Sequence, residues 1–235
     1  MEMMRLAILM ANTDESPFAD RHPRDGEKWR AALEPVLPGA SFLVFPVKDG
    51  VFPDAPLDRF DGFIVTGSPA SPRGDAPWQD RLEALIRQIT AAQVKLFGAC
   101  YGHQAIARAL GGTVGPNPGG WQFGLEESQV IAAAPWLEPG PTRLYAAHQE
   151  QVTKPPVSVT ICAEHPACPV AGMAQGTQLF TTQYHPEITP GFMADLIEED
   201  RAILPPEVIA HAEASLATPP DNQRFARWIA RFFAG

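Results

Sequence analysis

The chain has 235 residues, with 18 Lys and Arg against 27 Asp and Glu, for a formal net charge of −9. That length holds one large α/β domain or at most two small ones, and an acidic chain with no Lys/Arg cluster argues against nucleic acid or an anionic membrane as partner. The longest clean apolar run, Leu6–Ala11, is too short to span a bilayer, and the Asn12-Thr13-Asp14-Glu15 that follows it is unlike a signal peptide.

Leu6–Ala11 reads as an apolar strand, and Glu27–Leu37 as a helix stopped by Pro38-Gly39. Phe42–Val47 and Phe60–Thr66 read as further strands, the second ending at Gly67-Ser68-Pro69. Trp78, Leu82, Leu85, Ile86 and Ile89 recur at helical spacing, with Pro77 suited to the first turn. Val94–Ala99 is an apolar strand that runs into a helix over Gly102–Leu110. Strands separated by helices of this length imply an open, mostly parallel twisted sheet with helices on both faces. Beyond Gly112 the texture changes to short β runs at Leu125–Ile131, Thr142–Ala146, Val157–Cys162 and Gln178–Tyr184. The tail is helical, at Gly191–Arg201, Pro206–Ala217 and Asp221–Phe233. Phe225, Trp228, Ile229 and Phe232 form an apolar stripe on the last helix, read as a face packed on the body. Pro and Gly, 25 and 19 in number, are scattered, so no linker or repeat stands out.

The most informative stretch is Gly98-Ala99-Cys100-Tyr101-Gly102-His103-Gln104, where strand meets helix. A residue at such a turn is tightly held, with its side chain pointing outward, and the flanking glycines let strand and helix pass closely. This is the physics of a nucleophile elbow with sulfur in place of oxygen. The helix N-terminus behind Cys100 favours negative charge and so enriches the thiolate. The Tyr101 N–H, one residue on, is placed to bond an oxyanion. A lone cysteine between glycines is otherwise a small buried packing residue, so the presence of a base elsewhere decides the matter.

Six histidines compete for that role. His22, in a polar proline-bearing loop, and His211, on the polar tail, read as solvated, while His103 lies on the elbow's own helix and points away from the thiol. His165 has no carboxylate two residues on. His148-Gln149-Glu150 and His185-Pro186-Glu187 share a spacing that puts imidazole and carboxylate on one face of an extended chain. His185 is the better choice, because it follows a strong strand, and catalytic groups of open α/β sheets collect at carboxyl ends. Three cysteines, an odd number, do not make a disulfide framework and fit a reducing cytoplasm. Cys162, His165 and Cys168 lack a fourth ligand and zinc-finger spacing, so they read as two ordinary thiols near a turn, without metal.

Gly-Ala-Cys-Tyr-Gly-His-Gln, then Ala109-Leu110-Gly111-Gly112, then Gln183-Tyr184-His185-Pro186-Glu187 resemble the class I, or triad, glutamine amidotransferases. The resemblance runs from about residue 5 to residue 190 and implies a flavodoxin-like fold. It implies Cys100 as nucleophile, His185 as base and Glu187 as its orienter. Val65-Thr66-Gly67-Ser68-Pro69 resembles the family's Gly-Gly-Pro loop, whose backbone N–H is the second oxyanion donor, with Ser68 in place of the second glycine. Either Gly67 or Ser68 then supplies that donor. Gln104, Gly120, Trp121 and His148 fall at or near positions that touch substrate in relatives.

The chemistry so implied is hydrolysis of a γ-glutamyl amide through a thioester, with no cofactor and no metal. Residues 1–190 would form the catalytic domain, and 191–235 a helical extension packed on it. The chain has no room for a fused synthase. The alternatives are a free-standing hydrolase of γ-glutamyl compounds, a glutaminase subunit with a synthase partner in trans, or a silent scaffold. The helical tail would cover a surface or build a homodimer.

Overall fold

The structure is a computed structural model that describes residues 3–235. Its centre is a nine-stranded sheet in the order β2-β1-β3-β4-β11-β10-β9-β6-β7. The strands β1 (Arg5–Met10), β2 (Ser41–Pro46), β3 (Gly62–Val65), β4 (Lys95–Ala99) and β11 (Leu179–Thr182) run parallel. The chain leaves β1 for β2 on one side and returns to β3 on the other, so a crevice opens at their carboxyl ends. In register, Val65 stands opposite Gly98 and Thr182 opposite Ala99. The residues that follow β3, β4 and β11 therefore leave the sheet side by side.

The other strands, β10 (Cys168–Gln175), β9 (Thr160–His165), β6 (Gln122–Val130) and β7 (Gly140–His148), continue the sheet with antiparallel pairing. A small separate pair joins β5 (Thr113–Pro116) to β8 (Glu150–Lys154). β5, β8 and β10 were not among the expected strands. β5 ends in Gly-Pro, β8 is mostly polar, and β10 carries Pro169 and Gly172 in its interior, so none shows the apolar alternation that marks a half-buried strand.

Strand periodicity sorts the core. Leu6 and Ile8 of β1 join one cluster, and Ala7 and Leu9 join the other. On the second face lie α3 (Pro77–Ala91), through Leu82, Leu85, Ile86 and Ile89, and α4 (Tyr101–Ala109), through Ala105 and Ile106. The first face is covered by α2 (Asp25–Leu33), with Trp29, and by α7 (Asn222–Ala234). Phe225, Trp228, Ile229 and Phe232 of α7 are buried there, and Phe180 of β11 stacks on Phe225 with ring centroids 5.5 Å apart. Burying four such side chains is worth about 1.5–3 kcal/mol each relative to leaving them exposed, which explains why this helix docks on the sheet. α5 (Pro190–Asp200) and α6 (Pro206–Ser215) pack Met193, Ile197, Ile209 and Ala212 against Phe123, Leu125 and Tyr145 of the antiparallel half. A short helix α1 (Pro17–Asp20) follows β1, with Ser16 accepting from Ala19 N at its start. Among the described residues no helix is long and apolar enough to cross a membrane.

Candidate active site

Cys100 sits between β4 and α4 with φ 50° and ψ −110°, a left-handed region that L-residues rarely adopt. Its N–H donates to Thr182 O at 2.9 Å, which ties the turn to β11. The glycines on either side are there for close approach. A Cβ on Gly98 would lie 2.5 Å from Ile106 Cδ1 and 2.8 Å from the Gly102 carbonyl, and one on Gly102 would overlap the Val65 carbonyl. The first turn of α4 thus rests directly on the backbone of β3, and the sequence expectation of an elbow is met in its geometry.

Thr182 ends β11, and three residues later His185 leaves the same sheet edge. The His185 N–H donates to Tyr145 O at 2.9 Å, which fixes the ring's base to β7. Its Nδ1–H donates to Glu187 Oε1 at 2.7 Å, with both residues buried. Burial disfavours the imidazolium, but the Coulombic pull of Cys100 and Glu187 outweighs it, and the His185 pKa stands well above its ordinary value. The second His-X-Glu pair is built differently. His148 Nδ1–H donates to the backbone carbonyl of Glu150 at 3.0 Å, and the Glu150 carboxylate turns to Ser71 and Arg73 instead. Burial holds His148 neutral, with its pKa lowered to about 3. Equal spacing in sequence therefore yields one imidazole–carboxylate pair and one imidazole–carbonyl pair.

Gly67 and Ser68 follow β3 on the other side of Cys100. A Cβ on Gly67 would lie 2.8 Å from His185 Cε1 and 3.8 Å from Cys100 Cβ, so the loop backbone packs flat against both side chains. Thr66 Oγ1 donates to the Gly67 carbonyl at 3.0 Å and accepts from Ala11 N at 3.0 Å, pinning that peptide. Among the described residues, the N–H groups of Gly67, Ser68 and Tyr101 have no protein acceptor.

These groups line one cavity of about 640 Å³ that contains Cys100, Tyr101, Gly67, Ser68, His185, Glu187, Gln104, Trp121 and His148. The Gln104 amide is already engaged, donating to Glu150 O at 2.7 Å and Gln183 Oε1 at 3.1 Å. Gly120 is a turn residue with φ 79°, and it does not line the cavity, whereas its neighbour Trp121 does. The cavity's outer wall had no counterpart in the sequence expectations. It is built by Phe18 and His22 from the α1 region and Phe192 from α5, with ring centroids 4.5–5.5 Å apart. His22 is thus only 15% exposed rather than solvated. Ser16 followed by Pro17 is a helix-start signal that marks this segment in the sequence. His103 is fully buried, paired with Thr181 Oγ1 at 2.8 Å, and lowered to a pKa of about 3 by burial. His165 accepts from Ala167 N across the β9–β10 turn and faces Glu126, while Cys162 and Cys168 are pushed up to about 12 by burial.

The family model for class-I glutamine amidotransferases matches residues 39–203. The chain belongs to that family. Among its curated relatives, gamma-glutamyl peptidase 3 of Arabidopsis thaliana is 28% identical, with 84% of each chain covered. Gamma-glutamyl peptidase 5 of the same plant is 26% identical over all of this chain and 97% of that one. A glutamine-hydrolysing GMP synthase of Aeropyrum pernix is 34% identical over 56% of this chain but only 25% of its own length. A solved glutamine amidotransferase from Thermotoga maritima superposes over the full length of both chains, with a TM-score of 0.77 at 17% identity. One from Methylobacillus flagellatus gives 0.75 at 20% identity, covering 99% of this chain and 95% of that one. These two likenesses establish the fold.

Proposed function

We propose that this amidotransferase hydrolyses the γ-glutamyl amide bond of glutamine or of a larger γ-glutamyl compound, with Cys100, His185 and Glu187 as its catalytic triad. The observation that carries the reading is the buried His185–Glu187 pair at 2.7 Å, in the same cavity as a cysteine on a strained helix-start turn. The Cys100 thiolate attacks the amide carbon, and the carbonyl oxygen becomes an oxyanion facing the N–H of Tyr101 and that of Gly67 or Ser68. The His185 imidazolium protonates the nitrogen as the C–N bond breaks, leaving a γ-glutamyl thioester and free ammonia or amine. Water, giving its proton to His185, then attacks the thioester and releases glutamate and the thiolate. Each oxyanion donor contributes about 10²–10³-fold and acid–base help about 10²–10⁴-fold. Gln104, Trp121 and His148 line the cavity and contact the γ-glutamyl portion in this reading, with Gly120 setting the turn that presents Trp121.

Two observations favour a free-standing hydrolase over a glutaminase subunit. The gamma-glutamyl peptidases match 84–100% of the chain, whereas the synthase matches 56%. A cavity of about 640 Å³ also leaves room beside the γ-glutamyl portion for a leaving group larger than ammonia. Residues 1–190 act in this reading as the catalytic domain, with 191–235 covering the sheet, in a cytoplasmic protein. The test is to assay the purified chain alone for release of amine or glutamate from glutamine, γ-glutamyl peptides and γ-glutamyl amines. Cleavage of any one of them supports the hydrolase. No cleavage by protein whose Cys100 is intact and labelable would instead favour a subunit that needs its synthase.

A further inference from the structure

The loop that follows Gly67 and Ser68 is tied to the cavity wall through the carboxylate of Glu150. Ser71 Oγ donates to Glu150 Oε2 at 2.7 Å, and Arg73 Nε donates to Glu150 Oε1 at 2.9 Å, with Arg73 Nη2 on the same oxygen. The carbonyl of Glu150 accepts from Gln104 Nε2 at 2.7 Å and from His148 Nδ1 at 3.0 Å. One residue at the start of β8 therefore joins the loop after β3, the elbow helix α4 and the end of β7. From the opposite side, Gln79 Nε2 donates to Ser71 O at 2.7 Å and Arg108 donates to Pro72 O. Those two contacts anchor the loop's outer flank to α3 and α4, Thr66 Oγ1 holds its first peptide and Thr13 Oγ1 meets Ser68 Oγ at 3.5 Å, while Glu150 grips its far end at Ser71 and Arg73. The carboxylate is mostly buried, at 16% exposed, so its charge-assisted bonds are stronger than those of a solvent-exposed pair.

We infer that Glu150 is a positioning residue: it holds the loop 67–73 so that the backbone N–H after β3 stays aimed at the oxyanion, and the chain assembles this donor without a partner. The inference rests on the amide hydrolysis proposed above. Oxyanion donors act only when fixed in place before charge develops. A loop free to swing would lose that preorganisation without losing the nucleophile or the substrate's contacts. The Glu150 carboxylate bonds Ser71 and Arg73 of the loop, whereas its backbone carbonyl, which no side-chain variant removes, bonds Gln104 and His148, so the carboxylate's action runs through the loop.

The experiment compares the full chain with Glu150→Gln, which keeps an acceptor for Ser71 but loses the ion pair, and with Arg73→Ala. Arg73 is 48% exposed on its side chain, so the second variant carries the test if the first fails to fold. Both variants should lose roughly 10²-fold in kcat with KM changed by less than about twofold. Binding of an aldehyde analogue of the γ-glutamyl group, which must form a tetrahedral oxyanion adduct, should weaken by the same factor. Alkylation of Cys100 by chloroacetamide builds no oxyanion and should keep its wild-type rate. Unchanged kcat, a loss borne only by KM, or alkylation falling in step with kcat overturns the assignment. Wild-type cleavage with unaffected variants refutes the clamp alone, whereas a wild-type chain that cleaves no γ-glutamyl amide removes the hydrolysis and the clamp together.

Discussion

His185 Nδ1 and Glu187 Oε1 lie 2.7 Å apart in a buried pair, and among the described residues the second carboxylate oxygen has no hydrogen-bond partner. Among the described residues, the imidazole is thus the carboxylate's one hydrogen-bond partner. Glu187→Gln keeps the shape but removes the charge that favours the imidazolium, so kcat should fall by about 10²–10⁴-fold with little change in folding. Steady-state kinetics with a γ-glutamyl substrate, beside circular dichroism, would check this. Wild-type kcat in the variant would mean that the ring needs no anion.

The twin His-X-Glu pairs separate cleanly by mutation. His185→Asn should cost several orders of magnitude in kcat, because acid and base are lost together. His148→Asn should be much milder, since that ring bonds a backbone carbonyl and is held neutral. The reverse ranking would move the base to the other strand end.

Thiol reactivity should follow access to the cavity. Cys162 and Cys168 are buried on β9 and β10 with pKa values pushed up to about 12, whereas Cys100 faces the cavity beside His185. A glutamine-analogue electrophile followed by peptide mapping should label Cys100 first. Preferential labelling of either other cysteine contradicts the assignment.

Gly67→Ala tests the fit of the loop against the pair. Its new Cβ would press on His185 Cε1 at 2.8 Å, so the ring or the loop must move. A displacement of about 1 Å at such a site costs about 10²-fold in rate. The fold should survive, because the push falls on a side chain rather than on backbone. Activity within twofold of wild type, roughly the scatter of such assays, would mean that the loop yields freely.

The histidines also set the pH dependence of stability. His103 and His148 are lowered to about 3 in the folded protein against about 6.5 unfolded, so the unfolded chain binds more protons between those values. Stability should therefore fall as pH drops from about 6.5 toward 3, and His103→Gln should flatten that slope. His185 acts in the opposite sense. Its raised folded pKa stabilises fully below about 6.5 and loses that contribution as pH rises through the folded value. Melting temperatures across pH for the wild type, His103→Gln and His185→Asn would resolve the two limbs.

Much of this was legible in the sequence because it depends on short-range pattern. The apolar strands before Cys100 and His185 and the glycines around Cys100 carry the fold's parallel half and its turn in a few residues each. The carboxylate partner of His185 is two residues away, so spacing exposed the pair, and the strong strand before His185 set it apart from His148-Gln149-Glu150, which has the same spacing. What stayed hidden depends on contacts far apart in the chain. Glu150 meets Arg73 across 77 residues, and Phe18 meets Phe192 from opposite ends of the chain. No local periodicity encodes such pairings. The polar strand β8 was missed for a related reason, since its pairing with β5 follows from tertiary context rather than from its own composition.

The contact of Gly102 with the Val65 carbonyl has one more consequence. Because backbone meets backbone at that crossing, the height of α4 above the sheet does not depend on which aliphatic side chains fill the layers around it. Core residues can then drift and repack over evolutionary time without dislodging the sulfur they surround.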